Sequence, residues 1–247
     1  MMAYEGQGKM GDGLAYLEQA VAENPAHPIA YAFLGRLYLS QKKTKEAADA
    51  LEKGITVNPG WGTSYVLLGQ LYYDDGRKDQ AVQTFQSGLD AAPKDIVLRM
   101  KLAEIYQKDK DFEGAIAVYK EILGINPNLV AVKNDLASLL SDYRPDKEGL
   151  EEALELAVDF DKSDSPFLLD TLGWIHFRLN QLDKALPILE KAAEKSQNIP
   201  VISYHLGATY NQLGDKEKAK TNLEIALKDN PDFPGVEEAR ALLVQLK

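Results

Sequence analysis

The chain runs to 247 residues, 45% of them apolar and 27% charged, a balance that places it among folded globular proteins and allows a large buried core. Its 38 acidic side chains outnumber 28 basic ones, and a net charge of −10 excludes broad attraction to nucleic acid or anionic lipid; a charge-matched partner is basic. The absence of cysteine excludes disulfides and thiolate metal sites, and it fits a cytoplasmic or a periplasmic setting equally. No apolar run approaches the length of a membrane span, and the opening MMAYEGQGKM carries no signal-peptide core, so this chain is expected to make no direct membrane insertion.

In chain order, the first feature is GQGKMG at Gly6–Gly11, which matches the dinucleotide fingerprint G-x-G-x-x-G. Nothing before it reads as a strand and no parallel sheet follows, so it is read as a glycine-loosened turn between helices. From Leu34 onward a single pattern takes over. LGRLY begins at Leu34, LGQLY at Leu68, LAEIY at Leu102, LASLL at Leu136, LGWIH at Leu172 and LGATY at Leu206; four of the five intervals are 34 residues and the fourth is 36. In step with it run Ala47, Ala81, Ala115, Ala153, Ala185 and Ala219, each opening a segment with apolar residues at helical spacing. Each unit is therefore two helices, the first closed by a short polar turn and the second by an NP or AP dipeptide.

This spacing resembles the tetratricopeptide repeat, and the resemblance covers nearly the whole chain. It implies an all-α fold, an α-solenoid of tandem helix-turn-helix repeats forming a right-handed superhelix with a C-terminal capping helix. The expected units are a partial repeat at 1–27, full repeats at 28–61, 62–95, 96–129, 130–165, 166–199 and 200–233, and the cap at 234–247. Numbered within a repeat, leucine falls at place 7, a small residue at 8, tyrosine usually at 11 and alanine at 20. The small residues Gly35, Gly69, Ala103, Ala137, Gly173 and Gly207 are needed where the paired helices approach closely. Counting back from Pro25 puts Met1 at about place 8, in mid-helix, which reads as a piece cut from a longer array. In the cap, Val236, Leu243 and Leu246 are expected to cover the last repeat while Glu237, Glu238 and Lys247 face water. Between the helices of the fourth repeat, SDYRPDKEGLEEA lengthens the turn by four residues, and Pro145 suggests a projecting turn bearing Tyr143 and Arg144.

The resemblance further implies that places 2, 5, 9, 12 and 13 of each first helix line a concave groove. From these places come the candidate partner-binding residues: Tyr73, Asp74, Glu104, Asn134, Phe167, Asp170, Trp174, Phe177, Arg178, Tyr204, Asn211 and Gln212. The aromatic ones gather in the last two repeats, where Phe167, Trp174, Phe177 and Tyr204 form a patch edged by Asp170, Arg178, Asn211 and Gln212. Trp174 and Phe177 are expected to stand in the groove as anchors. No Lys/Asn pair occupies places 5 and 9, so capture of a peptide's terminal carboxylate is not expected. The segment DTLGWIHFR could be mistaken for an active site, but His176 holds the place where sister repeats have Tyr38, Tyr72, Tyr106 and Tyr210 and is expected to be a packing residue. The three histidines lie in different repeats, no H-x-x-x-H or G-x-S-x-G occurs, and the carboxylate runs read as solvated helix faces.

No catalytic, cofactor-binding or metal-binding residue is therefore expected, and the function read from the sequence is a non-enzymatic scaffold. It binds a protein or peptide segment with apolar anchors and a basic residue near Asp74, Glu104, Asp142 or Asp170. Two alternatives stand beside it: a docking domain of an enzyme complex whose catalytic part lies outside this chain, and a self-associating array. A narrower resemblance enters over residues 165–247, where LLDTLGWIHFRLNQLDKALPILEKA, ISYHLG and VEEARALLVQL look like the C-terminal repeats of bacterial exosortase- and exopolysaccharide-associated lipoproteins. It implies a periplasmic or envelope setting.

Overall fold

The computed structural model describes residues 10–229 and 231–246; the mid-helix start at Met1 and most of GQGKMG lie outside them. Among the described residues are fourteen α-helices in two compact units, Met1–Pro127 and Asn128–Lys247. The first unit holds α1 (Met10–Glu23), α2 (Pro28–Ser40), α3 (Thr44–Val57), α4 (Gly62–Asp74), α5 (Lys78–Ala91), α6 (Ile96–Lys108) and α7 (Phe112–Ile125). The second holds α8 (Val130–Tyr143), α9 (Lys147–Leu156), a 3₁₀ turn at Phe160–Lys162, α10 (Pro166–Arg178), α11 (Leu182–Ser196), α12 (Pro200–Gln212), α13 (Lys216–Ala226) and α14 (Val236–Gln245). In each unit successive helices pack as antiparallel pairs, first helix against second and second against the next first.

Close approach within each pair explains the small residues. A Cβ on Gly35 would lie 2.5 Å from Leu51 Cγ, and one on Gly173 would lie 2.6 Å from Leu189 Cγ, distances no real side chain tolerates. The facing alanines Ala47, Ala81, Ala115, Ala153, Ala185 and Ala219 are all 0% exposed, so a larger side chain there would have to displace a helix. Between the helices runs a three-residue turn, whose second residue adopts left-handed backbone in every full repeat except the fourth, where Pro145 stands. Glycine takes that place at Gly76 (φ 75°) and Gly214 (φ 86°), whereas Lys42, Lys110 and Asn180 adopt it at φ near 60°. Several second helices start under an aspartate cap: Asp111 accepts from the Gly114 amide, Asp146 from Gly149 and Asp215 from Lys218.

The fourth pair corrects an expectation. Its connection is Arg144–Asp146, three residues like the others, and not a projecting loop. The four inserted residues instead add a residue to α8 and a turn to the start of α9, because Asp146 caps the helix directly after Pro145. At the other end α9 stops at Leu156, and the chain passes through the 3₁₀ turn instead of a last helical turn.

Successive pairs are tied by a hydrogen bond that recurs at a separation of 20 residues. Tyr38 Oη donates to Glu18 Oε1 at 2.8 Å, Tyr72 to Glu52 at 3.0 Å and Tyr210 to Glu190 at 2.5 Å. Burial and then the glutamate raise all three phenols, Tyr38 to about 12.

In the second unit α14 packs on α12 and α13, with Ala239 fully buried, Leu242, Leu243 and Leu246 half-buried, and Glu237 and Glu238 exposed.

Candidate partner-binding surface

The groove positions of the first unit stand at its surface on α4 and α6. Tyr73 is half-buried and Lys108 Nζ sits 5.0 Å from its ring centroid, a cation–π contact. Asp74 is exposed and accepts from Gln70 Nε2 at 2.8 Å. Glu104 is held by Lys101 at 2.8 Å and Lys108 at 2.9 Å, and these two hydrogen bonds keep its carboxyl below the usual range. At the starts of α2 and α6, Ile29 and Val97 expose 40% and 57% of their surface. The charges here are largely satisfied within the chain, so what the face offers a partner is apolar side chain set among neutralised ion pairs.

The second unit arranges the same positions differently. Trp174 is only 5% exposed, its Nε1–H donates to Asp142 Oδ1 at 2.8 Å, and its indole stacks on Phe177 (centroids 4.6 Å apart, 8° between planes) and on His205 (3.9 Å, 14°). His205 Nδ1 lies 2.9 and 3.0 Å from the two oxygens of Asp170, a buried pair with 9% of each side chain exposed. Tyr204 closes the cluster, tilted against Trp174 at 5.7 Å and Phe233 at 5.9 Å, and burial raises its phenol to about 12. Arg178, half-buried, places its guanidinium 5.9 Å from the Trp174 ring. Burial also pushes the Asp142 carboxyl up, against the opposing pull of His205, the Trp174 bond and Arg178.

Trp174 is thus not the solvent-facing anchor expected of it. Rings at successive first helices are wide enough to meet one another, and their contact expels the water a groove would hold. Asp142 and Asp170 are likewise engaged internally and do not await a partner's basic residue. Of the remaining candidates, Phe167 stands 54% exposed, Phe177 is half-buried and Asn211 half-buried. Gln212 Nε2 donates to Asn180 Oδ1 at 2.7 Å, and Asn134 is half-buried with its Oδ1 enclosed and without a partner. Sequence reasoning missed His205 as the hub of this cluster; the signal available was an acid at place 13, an acid at 5 and a histidine at 6 of three successive first helices. His176 is buried, with Nδ1 2.8 Å from Gln181 Oε1, and it lies apart from the Asp170–His205 pair.

Profiles of the tetratricopeptide repeat match residues 2–60, 39–105, 98–129, 168–197 and 203–232, together well over half of the chain. The chain belongs to the tetratricopeptide repeat family. Solved structures agree on the fold. The Cut9–Hcn1 hetero-tetramer of the APC/C matches with a TM-score of 0.62 at 16% identity over 99% of this chain and 48% of that one, so this chain spans about half the length of Cut9–Hcn1's matched chain. A tetratricopeptide repeat protein from Parabacteroides merdae matches with a TM-score of 0.60 at 18% identity, over 99% and 95% of the two chains. YrrB, described as a tetratricopeptide protein with an unusual peptide-binding site, matches at 0.51 and 18%, over 91% and 97%. No curated protein matches the sequence. Tetratricopeptide repeats are in general protein-interaction scaffolds, typically non-catalytic, with protein or peptide partners. Among the described residues no helix is long and apolar enough to cross a membrane, and no group of His, Cys, Asp and Glu could hold a metal ion.

Proposed function

We propose that this tetratricopeptide protein is a non-enzymatic scaffold that holds an extended or helical segment of another protein along its first-helix faces. The observation that carries the reading is the set of apolar side chains left in solvent there, Ile29 and Val97 in the first unit and Phe167 in the second. Water-exposed branched and aromatic side chains on a face that also carries satisfied ion pairs suit a partner with apolar anchors, with a basic residue beside Asp74. YrrB's described peptide-binding site, on a fold of the same kind, supports the same mode. The resemblance of residues 165–247 to exopolysaccharide-associated repeats supports a bacterial envelope assembly as the setting.

A photo-crosslinking residue introduced at Val97 and at Phe167 tests the reading in cells of the source organism. The expected result is capture of a protein partner at each of the two positions. Equal capture from a control position on the second helices, such as Lys53, would overturn it.

A further inference from the structure

At two of the places where it forms, the tyrosine–glutamate bond between pairs spans a notch with the same lining. At Glu18/Tyr38 the notch includes Val21, Tyr31 and Leu34; at Glu52/Tyr72 it includes Ile55, Tyr65 and Leu68. These two cavities measure about 270 and 290 Å³. The corresponding notch between α9, the turn after it, α10 and α11 is about 490 Å³, and it is lined by Leu154, Val158, Leu172, His176, Pro187 and Ile188 with Asp161, Asp183 and Lys184. Counting from the buried alanine, Val158 follows Ala153 by the same five residues that separate Glu52 from Ala47. Both ends of the bond are therefore replaced, the glutamate by Val158 and the tyrosine by His176. A third change deepens the notch: where Tyr31 and Tyr65 stand, this repeat has Leu169.

What remains is a mainly apolar hollow within the size range of ligand pockets, whose lining also includes the buried His176 and the exposed Asp161, Asp183 and Lys184. His176 Nδ1 faces the Gln181 carbonyl oxygen and so carries the ring hydrogen, which leaves Nε2 as an acceptor. Burial holds this imidazole below its usual range, which keeps it neutral and accepting at neutral pH. Val158, 68% exposed at the mouth, keeps an apolar side chain in water. The lining includes two carboxylates, Asp161 and Asp183, and one amine, Lys184, with Lys191 Nζ donating to the Asp161 backbone oxygen at 3.0 Å beside them, on a chain of net charge −10. In the helix, Pro187 supplies no amide for the Asp183 carbonyl one turn back, which adds an acceptor at the same rim.

We propose that this notch is a docking pocket for a tyrosine side chain of a partner polypeptide, with basic residues on either side of that tyrosine. The phenol ring fills the space that the chain's own tyrosines fill in the sister notches, its hydroxyl donates to His176 Nε2, and the flanking amines meet Asp161 and Asp183. The pocket is separate from the first-helix face and does not depend on it.

Titration of the full chain with Ac-Lys-Tyr-Lys-amide, followed by NMR on the His176 ring, tests this. Saturable movement of that resonance is expected, with affinity about fivefold above Ac-Lys-Phe-Lys-amide, the worth of one neutral hydrogen bond, and above Ac-Glu-Tyr-Glu-amide. The variant His176→Tyr with Val158→Glu rebuilds the internal bond and is expected to abolish binding, read by calorimetry; Ile188→Trp, which fills the hollow from the other wall, is expected to do the same should the first variant not fold. No saturable movement, equal affinity for the phenylalanine peptide, or unchanged binding in a folded filled variant overturns the proposal.

Discussion

The first-helix faces of the two units put places 9 and 13 of the repeat to opposite ends: Glu104, Asp74 and Lys108 at the surface, Trp174 and Asp142 in a packed cluster. On α4 and α6, Tyr73, Asp74, Glu104 and Lys108 form a surface of ion pairs and one cation–π contact. On α8, α10 and α12, Asp170, Trp174, Tyr204 and His205 form a buried cluster joined by the half-buried Asp142. The difference is side-chain reach. At place 9 of the first unit Arg36 is exposed and Gln70 half-buried, whereas in the second an indole at place 9 meets a phenol at place 5 of the next repeat. A place in a repeat therefore has no fixed role: it is surface or core according to what the adjacent repeat puts opposite it.

Trp174→Ala should break the comparison most strongly. Removing a 5%-exposed indole from a stacked cluster costs about 3–5 kcal/mol, whereas Tyr73→Ala should cost under about 1 kcal/mol, both read from urea unfolding. Next comes Asp170→Ala, which strands His205 without its partner and should cost about 3 kcal/mol; Asp170→Ala with His205→Phe should recover much of that loss. A double-mutant cycle that shows no coupling would mean the pair is incidental.

The pH dependence sharpens the contrast at a smaller scale. Asp142 has its carboxyl raised chiefly by burial, so the folded state holds that proton more tightly than the unfolded chain. Its contribution is complete below the unfolded value of about 4 and is lost as pH rises through the folded one. His176, lowered by burial, acts in the opposite sense: its contribution is complete above about 6.5 and is lost as pH falls. Asp142→Asn keeps the acceptor for Trp174 Nε1 and should remove the first dependence; His176→Tyr should remove the second. Urea midpoints between pH 4 and pH 7.5 check both. Smallest of all, Glu104→Gln in the first unit should change stability by less than about 1 kcal/mol and lose even that in 1 M salt, because the ion pairs it breaks are partly exposed.

Much of the fold is legible in the sequence. The alanine series marked the tightest contacts, and glycine at 35, 69, 173 and 207 marked the close approaches, because steric exclusion at 3.6-residue periodicity leaves a regular trace in sequence. The candidate surface was readable only in part. Tyr73 and Asp74 stand at the surface, but Trp174 and Asp170, predicted for the same groove face, are buried, and spacing cannot report what lies opposite. The four residues inserted before α9 were visible as a count, yet whether they make a loop or a helical turn depended on Asp146 finding the Gly149 amide.

The sequence by itself determined the repeating helical pair, its register and the apolar face of every helix, since these follow from periodicity and from excluded volume between residues a few turns apart. Only the tertiary structure decided that His205 would lie between Asp170 and Trp174, that α9 would yield its last turn, and that the notch at His176 would stay open. Each of those outcomes depends on side chains from three or more helices competing for one volume, and a linear pattern records the competitors but not the winner.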